Sequence, residues 1–385
     1  MIEAKVTSTF LTALDGLEYG QLSLTLPDGQ TRLFAGPADG PKADLTVHDH
    51  RALIAIAARG DVGFTESYRD GLVDTNDMEA LMTFALRNEQ ALSRYINGHP
   101  ITSKIMGVLY FLNRNTLKGS RRNISAHYDL GNDFYSLWLD DSMTYSSALY
   151  DGAVDLKGAQ LRKYDRILEQ LGASSGRLLE VGCGWGGFAE RAMQTGDYAL
   201  KGLTLSTEQA EFARTRLGPN AQIALQDYRH ETGKFDHIVS IEMFEAVGEK
   251  YWPTYFAKLG NVLADKGRAM IQTITIDDAR FASYRNGADM IRSFVFPGGM
   301  LPSDQRFRTQ ALTAGLRVED GFAFGQDYAR TCREWLANFE TKLPEIRAMG
   351  FDEGFIRIWR TYLAACIAGF ASGRTNVMQY RLAHA

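Results

Sequence analysis

The run LLEVGCGWGG at residues 178–187 constrains this chain more than any other segment. Its apolar residues lead into an acid, Glu180, and then into a glycine-rich stretch. The glycines are Gly182, Gly184, Gly186 and Gly187. Because glycine has no Cβ and accepts positive φ, such a loop lets the backbone approach a ligand closely. The pattern predicts a strand, a tight loop and a helix whose first N–H groups can meet an electron-rich ligand. A nucleotide-like cofactor is therefore expected.

Strand-like and helix-like runs alternate from about residue 175 onward. The runs RLLEVG, YALKGLTL, FDHIVSI and RAMIQTITI are β-like, and helical patterns such as STEQAEFARTRL separate them. This spacing is typical of a parallel, doubly wound sheet, in which ligands lie beyond the carboxyl ends of the strands. In STEQ, Ser206 and Gln209 form a predicted capping box. We therefore predict an α/β fold with a doubly wound, Rossmann-like domain.

Three segments are predicted along the chain. Residues 1–100 mix short β-like runs with helical patterns and suggest a small α+β domain. Residues 101–128 form a basic amphipathic linker in which Lys and Arg alternate with apolar residues and no acid occurs. This linker can lie on an anionic lipid surface, or it can pack on the core with its cationic end in solvent. Residues 129–385 form the predicted doubly wound domain, with an apolar insert near 281–301.

Composition excludes several classes of function. A formal net charge of −4 argues against nucleic acid as the main partner. The three cysteines are too few and too scattered for a disulfide framework or a zinc site, so no metal is expected and a reducing, cytoplasmic setting fits best. The first residues, MIEAKVTSTFLTALDG, carry acids and contain no long apolar run. Neither a signal peptide nor a membrane span is therefore expected.

Two cofactors compete for the glycine loop. GCGWGG satisfies the GxGxxG fingerprint of NAD-binding proteins, which also expects an acid about 20 residues further on to bind the ribose. At that place the chain carries Thr204 and Ser206 and no carboxylate. The same loop also contains an acid, Glu180, followed by three alternating glycines. That spacing suits S-adenosylmethionine, which has an ammonium group and no pyrophosphate, and we favour it over NAD.

Seven runs between residues 125 and 385 resemble one family. They are SAHYDLGNDFYSLWLDDSMTYSSALY, LLEVGCGWGGFAERA, GLTLSTEQ, SIEMFEAVGEKYW, FVFPGGMLPS, FGQDYARTCREW and YLAACIAGF. On these motifs the chain resembles the cyclopropane-fatty-acyl-phospholipid synthases and their relatives, the mycolate cyclopropanases and fatty-acid methyltransferases. HYDLGNDFY followed at this distance by GCGWGG is the most specific part of the match. The first 100 residues resemble the extra domain of the longer bacterial synthases more loosely.

The resemblance implies two sets of site residues. The implied cofactor contacts are Tyr145, Ser146, Glu180, Gly182, Gly184, Gly186, Thr204, Leu205, Ser206, Gln209, Tyr228 and Arg229. Members of the family also bind a bicarbonate ion beside the reacting carbons. Its implied holders are the backbone at Ser147, the side chains of Glu245, Gln272 and Tyr328, and the neighbourhood of Cys366.

The activity implied by the resemblance is methyl or methylene transfer from S-adenosylmethionine to the cis double bond of unsaturated acyl chains in membrane phospholipids. Attack on the methyl group leaves a carbocation, and the bound bicarbonate removes a proton from it. Loss of that proton from the new methyl closes a cyclopropane, whereas loss from a neighbouring chain carbon gives a methyl-branched or methylene alkene. Peripheral contact with the inner face of an anionic membrane is expected, and a homodimer is a further possibility.

The departures from the family pattern bear on the product. The usual YSCAY reads YSSAL, with Ser147 in place of cysteine, and the usual FEH reads FEA, with Ala246 in place of histidine. A strand that usually carries a histidine reads IQTI, which places Gln272 at an implied bicarbonate contact. Glutamine donates and accepts hydrogen bonds but takes no proton near neutral pH. Our hypothesis is therefore a methyl-branched olefinic product rather than ring closure.

Other interpretations stay open. The chain could be a small-molecule O- or N-methyltransferase, although the apolar insert near 281–301 looks more like a cover for an acyl chain. It could also be a lipid- or cofactor-binding protein whose active site has decayed. Residue by residue, Gln272 could be a satisfied core amide, Tyr328 a packed aromatic, and Cys366 a small buried hydrophobe.

Overall fold

The computed structural model describes residues 2–99 and 130–385 of the chain. The predicted basic linker at 101–128 lies outside these residues. The described part divides into two compact units. The first comprises residues 2–99 together with Ser283–Pro297 and Leu343–Ser372, and the second comprises the other described residues.

These units do not follow the predicted boundaries at residues 100 and 129. Two later segments, Ser283–Pro297 and Leu343–Ser372, cluster with the N-terminal residues rather than with the predicted 129–385 domain. One physical reason is visible in the core of the first unit, where Ala364 is fully buried among N-terminal apolar side chains such as Leu53 and Phe84. Reading the sequence in order gives no sign of this return of the chain.

The first unit is a small α+β structure, as predicted for residues 1–100. Its sheet has the order β2-β1-β3-β4, with β1 and β3 parallel and the other pairs antiparallel. Its elements are α1 (Ile2–Leu14), β1 (Tyr19–Thr25), β2 (Thr31–Ala35), β3 (Ala38–Val47), α2 (His50–Arg59), α3 (Asp61–Arg69), β4 (Val73–Asp74), α4 (Met78–Arg87), α5 (Glu89–Asn97), a π-helical turn (Ile291–Val295) and two later helices, α14 (Leu343–Ala348) and α15 (Glu353–Ala371). Buried and partly exposed residues alternate along β1, as expected for a strand with one face on a core.

The second unit is built on a seven-stranded sheet. Its elements are α6 (Asn132–Ser136), α7 (Leu156–Leu171), β5 (Ser175–Val181), α8 (Gly187–Thr195), β6 (Asp197–Thr204), α9 (Thr207–Leu217), β7 (Gln222–Leu225), β8 (Phe235–Ile241), α10 (Trp252–Val262), β9 (Leu263–Ile276), α12 (Asp304–Thr313), β10 (Leu316–Ala323), α13 (Gly325–Thr341) and β11 (Thr375–His384). A short helix, α11 (Phe281–Asn286), crosses the boundary between the units.

The strand order of this sheet is β10-β11-β9-β8-β5-β6-β7. Strands β5 to β9 are mutually parallel, which confirms the predicted α/β fold, and β11 and β10 add an antiparallel edge beside β9. The chain runs outward from β5 through β6 to β7 and then returns to place β8 on the other side of β5. The order therefore reverses between β5 and β8, and ligands of such sheets bind beyond the carboxyl ends of strands at that point.

None of the helices within 2–99 and 130–385 is long and apolar enough to cross a membrane.

The buried side chain of Asn88 links the start of β1 to the end of α4. The side chain of Asn88 accepts hydrogen bonds from the backbone N–H groups of Glu18 (2.9 Å) and Tyr19 (3.0 Å) and donates to two carbonyl oxygens. We expect Asn88→Ala to lower the free energy of unfolding of the first unit by about 2–4 kcal/mol, since two backbone donors lose their partner. Urea unfolding followed by circular dichroism measures this.

The matched control is Asn97→Ala, because Asn97 is exposed and makes one hydrogen bond within its own helix. It should change the free energy of unfolding by no more than about 0.5 kcal/mol. Equal effects of the two substitutions would contradict the role given to Asn88.

Candidate active site

The glycine loop adopts the predicted strand–loop–helix form. Gly182, Gly184 and Gly186 all have positive φ, at 83°, 51° and 84°. A Cβ on Gly182 would lie 2.7 Å from the Cγ of Met243, so a larger residue there has no room. The N–H groups of Gly182 and Cys183 donate to the carbonyl of Leu203, which attaches the loop to the end of β6. These hydrogen bonds therefore fix the loop at the carboxyl ends of β5 and β6, and its glycines leave the loop backbone uncovered by side chains.

Glu180 lies just before this loop, with 2 % of its surface exposed. Among the described residues, its Oε2 atom has no hydrogen-bond partner. Burial raises its pKa well above the usual range, and the nearby Lys163 acts in the opposite direction. A buried carboxylate oxygen without a partner fits a ligand that brings a positive charge or a hydrogen-bond donor.

A cavity lies at the carboxyl ends of β5, β6 and β8, where the sheet order reverses. Ten of the twelve predicted cofactor residues line it. They are Tyr145, Ser146, Glu180, Gly182, Gly184, Thr204, Leu205, Gln209, Tyr228 and Arg229. The chain segments that resemblance assigned to the cofactor are thus brought together around one cavity.

The other two predicted cofactor residues, Gly186 and Ser206, are not among the lining residues. Each stands at the start of a helix instead. Gly186 precedes α8, and Ser206 precedes α9, where its hydroxyl accepts from the N–H of Gln209 at 3.3 Å. The predicted capping box is therefore half formed, because the side chain of Gln209 turns to Thr204 and accepts its hydroxyl at 2.9 Å.

Helix α7 fixes the segment that carries Ser146. The buried Lys163 donates from Nζ to the hydroxyl of Ser146 at 2.7 Å, and Gln160 donates to the carbonyl of the same residue at 2.9 Å. Burial lowers the pKa of Lys163 to about 7, while the charge of Glu242 opposes this shift. The sequence reasoning missed Lys163, since a lysine within a helical pattern gives no sign that it points inward.

Glu242 is the centre of the site, and the sequence reasoning missed it. It follows β8 directly and lines the cavity. Its Oε1 accepts from the N–H of Ser147 at 2.9 Å and from Nε2 of Gln272 at 2.8 Å, and its Oε2 accepts from the hydroxyl of Tyr328 at 2.6 Å. Burial raises the pKa of Glu242, and these donors together with Lys163 act to lower it.

Glu245 lies one turn further on, in a separate environment. Its Oε1 accepts from the N–H of Ile274 and, at 3.0 Å, from the hydroxyl of Thr273. Oε2 of Glu245 is buried and has no partner within the described part of the chain. Burial and repulsion from Glu242 raise the pKa of Glu245 to about 8. The two carboxyl groups therefore differ in their partners, because three donors act to lower the pKa of Glu242, whereas repulsion from Glu242 adds to the effect of burial on Glu245.

An amide chain fixes the orientation of Gln272. Gln379 on β11 lies opposite Gln272 on β9 and donates from Nε2 to its Oε1 at 3.0 Å. Arg166 in turn donates to Oε1 of Gln379 at 2.6 Å. Because the oxygen of Gln272 is occupied in this way, its NH₂ group faces Glu242. Gln272 is therefore a buried amide with partners on both sides, next to Glu242, and its implied contact with bicarbonate stays a prediction.

The predicted bicarbonate site does not fit the residues as they stand. Three implied holders, the N–H of Ser147, the amide of Gln272 and the hydroxyl of Tyr328, donate to the carboxylate of Glu242. Glu245 bonds to β9 instead. Cys366 belongs to the first unit, on α15, where it is partly exposed, and its implied role stays a prediction.

Aromatic rings pack beside the cavity. The ring centroid of Tyr145 lies 5.4 Å from that of Trp335, and the ring of Tyr328 lies 5.9 Å from the same Trp335. Trp138, fully buried, contacts both Tyr145 and Trp335. The rings form an aromatic wall in which Tyr145 lines the cavity and Trp138 and Trp335 are fully buried, which suits a reaction that must exclude water.

Comparison with known proteins agrees with this geometry. Residues 115–380 match the family described as mycolic acid cyclopropane synthetase. The chain is 36 % identical over 379 residues to tuberculostearic acid methyltransferase UfaA1 of Mycobacterium tuberculosis, covering 94 % of this chain and 87 % of the relative. It is 35 % identical over 341 residues to the cyclopropane-fatty-acyl-phospholipid synthase of Escherichia coli, covering 88 % and 87 %.

A solved structure is similar as well. Mycolic acid cyclopropane synthase CmaA1, complexed with SAH and CTAB, superposes with a TM-score of 0.63 at 30 % identity, covering 68 % of this chain and 97 % of that one. The sequence match, the sheet order and the cavity at its switch point agree with one another. The chain belongs to the mycolic acid cyclopropane synthetase family of S-adenosylmethionine-dependent methyltransferases.

Proposed function

We propose that this protein transfers a methyl group from S-adenosylmethionine to the cis double bond of unsaturated acyl chains in membrane phospholipids. The observation that carries the proposal is a cavity at the switch point that joins the glycine loop to a hydrogen-bonded carboxylate. The name of the Escherichia coli relative gives the fatty-acyl-phospholipid substrate class.

The cavity suits the proposed cofactor. S-adenosylmethionine supplies an electrophilic methyl group on a sulfonium centre. The open backbone at Gly182 and Gly184 would hold its polar end, together with Oε2 of Glu180, which has no partner in the described ranges 2–99 and 130–385. Thr204, Gln209 and the other lining residues would hold the remainder.

The aromatic wall supports a reaction through a cation on the acyl chain. An alkene is a poor nucleophile, so close positioning of the two reactants supplies much of the rate. The faces of Tyr145 and Tyr328 can stabilise positive charge without reacting with it. Burial of Trp138 and Trp335 keeps water from that side, where it would trap the cation. The donors implied for bicarbonate, at Ser147, Gln272 and Tyr328, bond to Glu242 instead.

A methyl-branched olefin is the product that we propose, rather than a cyclopropane. Gln272 replaces the usual histidine, and its amide is held by Gln379 so that it donates to Glu242. The base can therefore lie at a different position from the base of the ring-forming relatives. A different carbon of the cation then loses its proton. The relative UfaA1 is named a methyltransferase rather than a cyclopropane synthase, which agrees with this choice.

Contact with an anionic membrane surface, on the cytoplasmic side, forms part of the proposal. The basic stretch at residues 101–128 carries the charge that such a surface would attract. A homodimer would double these basic contacts.

Glu180→Gln should weaken binding of S-adenosylmethionine by about tenfold or more, because an amide cannot become the anion that a positively charged ligand would stabilise in the cavity. Isothermal titration calorimetry measures the dissociation constant. Glu208→Gln is the matched control, since Glu208 is an exposed residue on α9 and should bind as the wild type does. Unchanged binding by Glu180→Gln would contradict the place given to the cofactor.

Purified protein incubated with methyl-labelled S-adenosylmethionine and vesicles of unsaturated phospholipid should place label in the acyl chains. Vesicles of saturated phospholipid are the control and should take up none. Label found only in polar acceptors would favour a small-molecule methyltransferase. No transfer to any acceptor would favour a binding protein without activity.

Lipids from cells that express the protein should contain methyl-branched, unsaturated acyl chains when analysed by gas chromatography–mass spectrometry. The expectation follows from a proton lost from the chain rather than from the new methyl. A dominant cyclopropane product with no branched species would refute it. Cells with an empty vector supply the background.

A further inference from the structure

Glu242 holds an unusual backbone position. It is one of two non-glycine residues with positive φ in the described ranges, at 50°, and its N–H donates to the carbonyl of Gln272 at 2.8 Å. A glutamate rarely adopts this conformation unless its surroundings impose it. The conformation turns the residue at the end of β8 into the cavity that the glycine loop also lines.

The donors around Glu242 come from separate parts of the second unit. Ser147 precedes α7, Gln272 lies on β9 and Tyr328 lies on α13. These are the donors that the resemblance assigned to a bicarbonate ion. A bicarbonate ion and a glutamate side chain both present a planar, anionic O–C–O group, so donors arranged for one suit the other.

The carboxylate has room to accept a proton. Oε1 accepts two hydrogen bonds and Oε2 accepts one, from Tyr328. Oε2 therefore keeps an acceptor position, since a carboxylate oxygen has two lone-pair directions. The raised pKa of Glu242 strengthens it as a base, and Glu245, whose pKa is raised to about 8, holds its own proton at neutral pH.

We propose that the carboxylate of Glu242 is the built-in general base of the reaction, in the place where relatives would use a dissolved bicarbonate ion. After methyl transfer, a C–H bond next to the cationic carbon breaks. Its electron pair becomes the π bond between that carbon and the cationic carbon, which gives the methyl-branched olefin, and its proton passes to Oε2 of Glu242, which later releases it to water. The inference rests on the proposed function.

Gln272, Gln379 and Arg166 are positioning residues in this arrangement. The chain of hydrogen bonds from Arg166 through Gln379 holds the NH₂ group of Gln272 against Oε1 of Glu242. A histidine at 272 could take a proton itself, whereas the amide cannot. Glutamine here therefore leaves the base role to the carboxylate alone.

The test measures label transfer to unsaturated phospholipid vesicles in buffer freed of carbon dioxide, with and without added bicarbonate. Wild type should transfer label at the same rate in both. Glu242→Gln should lose at least about 100-fold in rate in both, because its amide fills the position without accepting a proton. Circular dichroism and S-adenosylmethionine binding of this variant should match wild type.

Glu242→Gly is the second variant. Glycine accepts the positive φ at this position and leaves a space in which a small anion can bind. This variant should be as slow as Glu242→Gln without bicarbonate and regain rate when bicarbonate or formate is added. Wild type that needs bicarbonate, a fully active and folded Glu242→Gln, or a Glu242→Gly that no anion rescues would each overturn the inference. Wild type without transfer in any buffer would instead overturn the proposed function.

Discussion

One partly buried carboxylate, that of Glu242, links three separate parts of the second unit through the donors that it accepts from. A carboxylate in the interior is costly unless it is hydrogen-bonded, and Glu242 meets this requirement through Ser147, Gln272 and Tyr328. These donors tie together the segment before α7, the sheet and α13. The same hydrogen bonds that stabilise the charge also hold Glu242 in place where it lines the cavity.

The sheet supplies the geometry for this arrangement. Because its order reverses between β5 and β8, the glycine loop and Glu242 emerge side by side at adjacent strand ends. The antiparallel strand β11 then places Gln379 opposite Gln272. Hydrogen-bond donors separate the two glutamates by environment, since Glu242 accepts from three groups across the unit and Glu245 accepts from neighbouring residues of β9.

The sequence predicted the glycine loop and the parallel sheet because both leave local signals, in glycine spacing and in the alternation of strands with helices. It did not predict Glu242, since an acid after a strand looks like an ordinary polar residue until the donors around it are known. The sign in the sequence that could have identified Glu242 was its position directly after β8, the strand that pairs with β5. The return of Ala364 to the N-terminal core was equally hidden, because long-range packing leaves no periodic mark.

The place of Gln379 in the last strand has a consequence for how the protein is made. The cavity residues are complete once the chain has been synthesised to Val247, whereas Tyr328 and Gln379 follow much later. Domains generally fold as units during synthesis. Because β11 lies between β9 and β10, the second unit completes its sheet, and the hydrogen bonds that orient Gln272, only after this late strand has been synthesised.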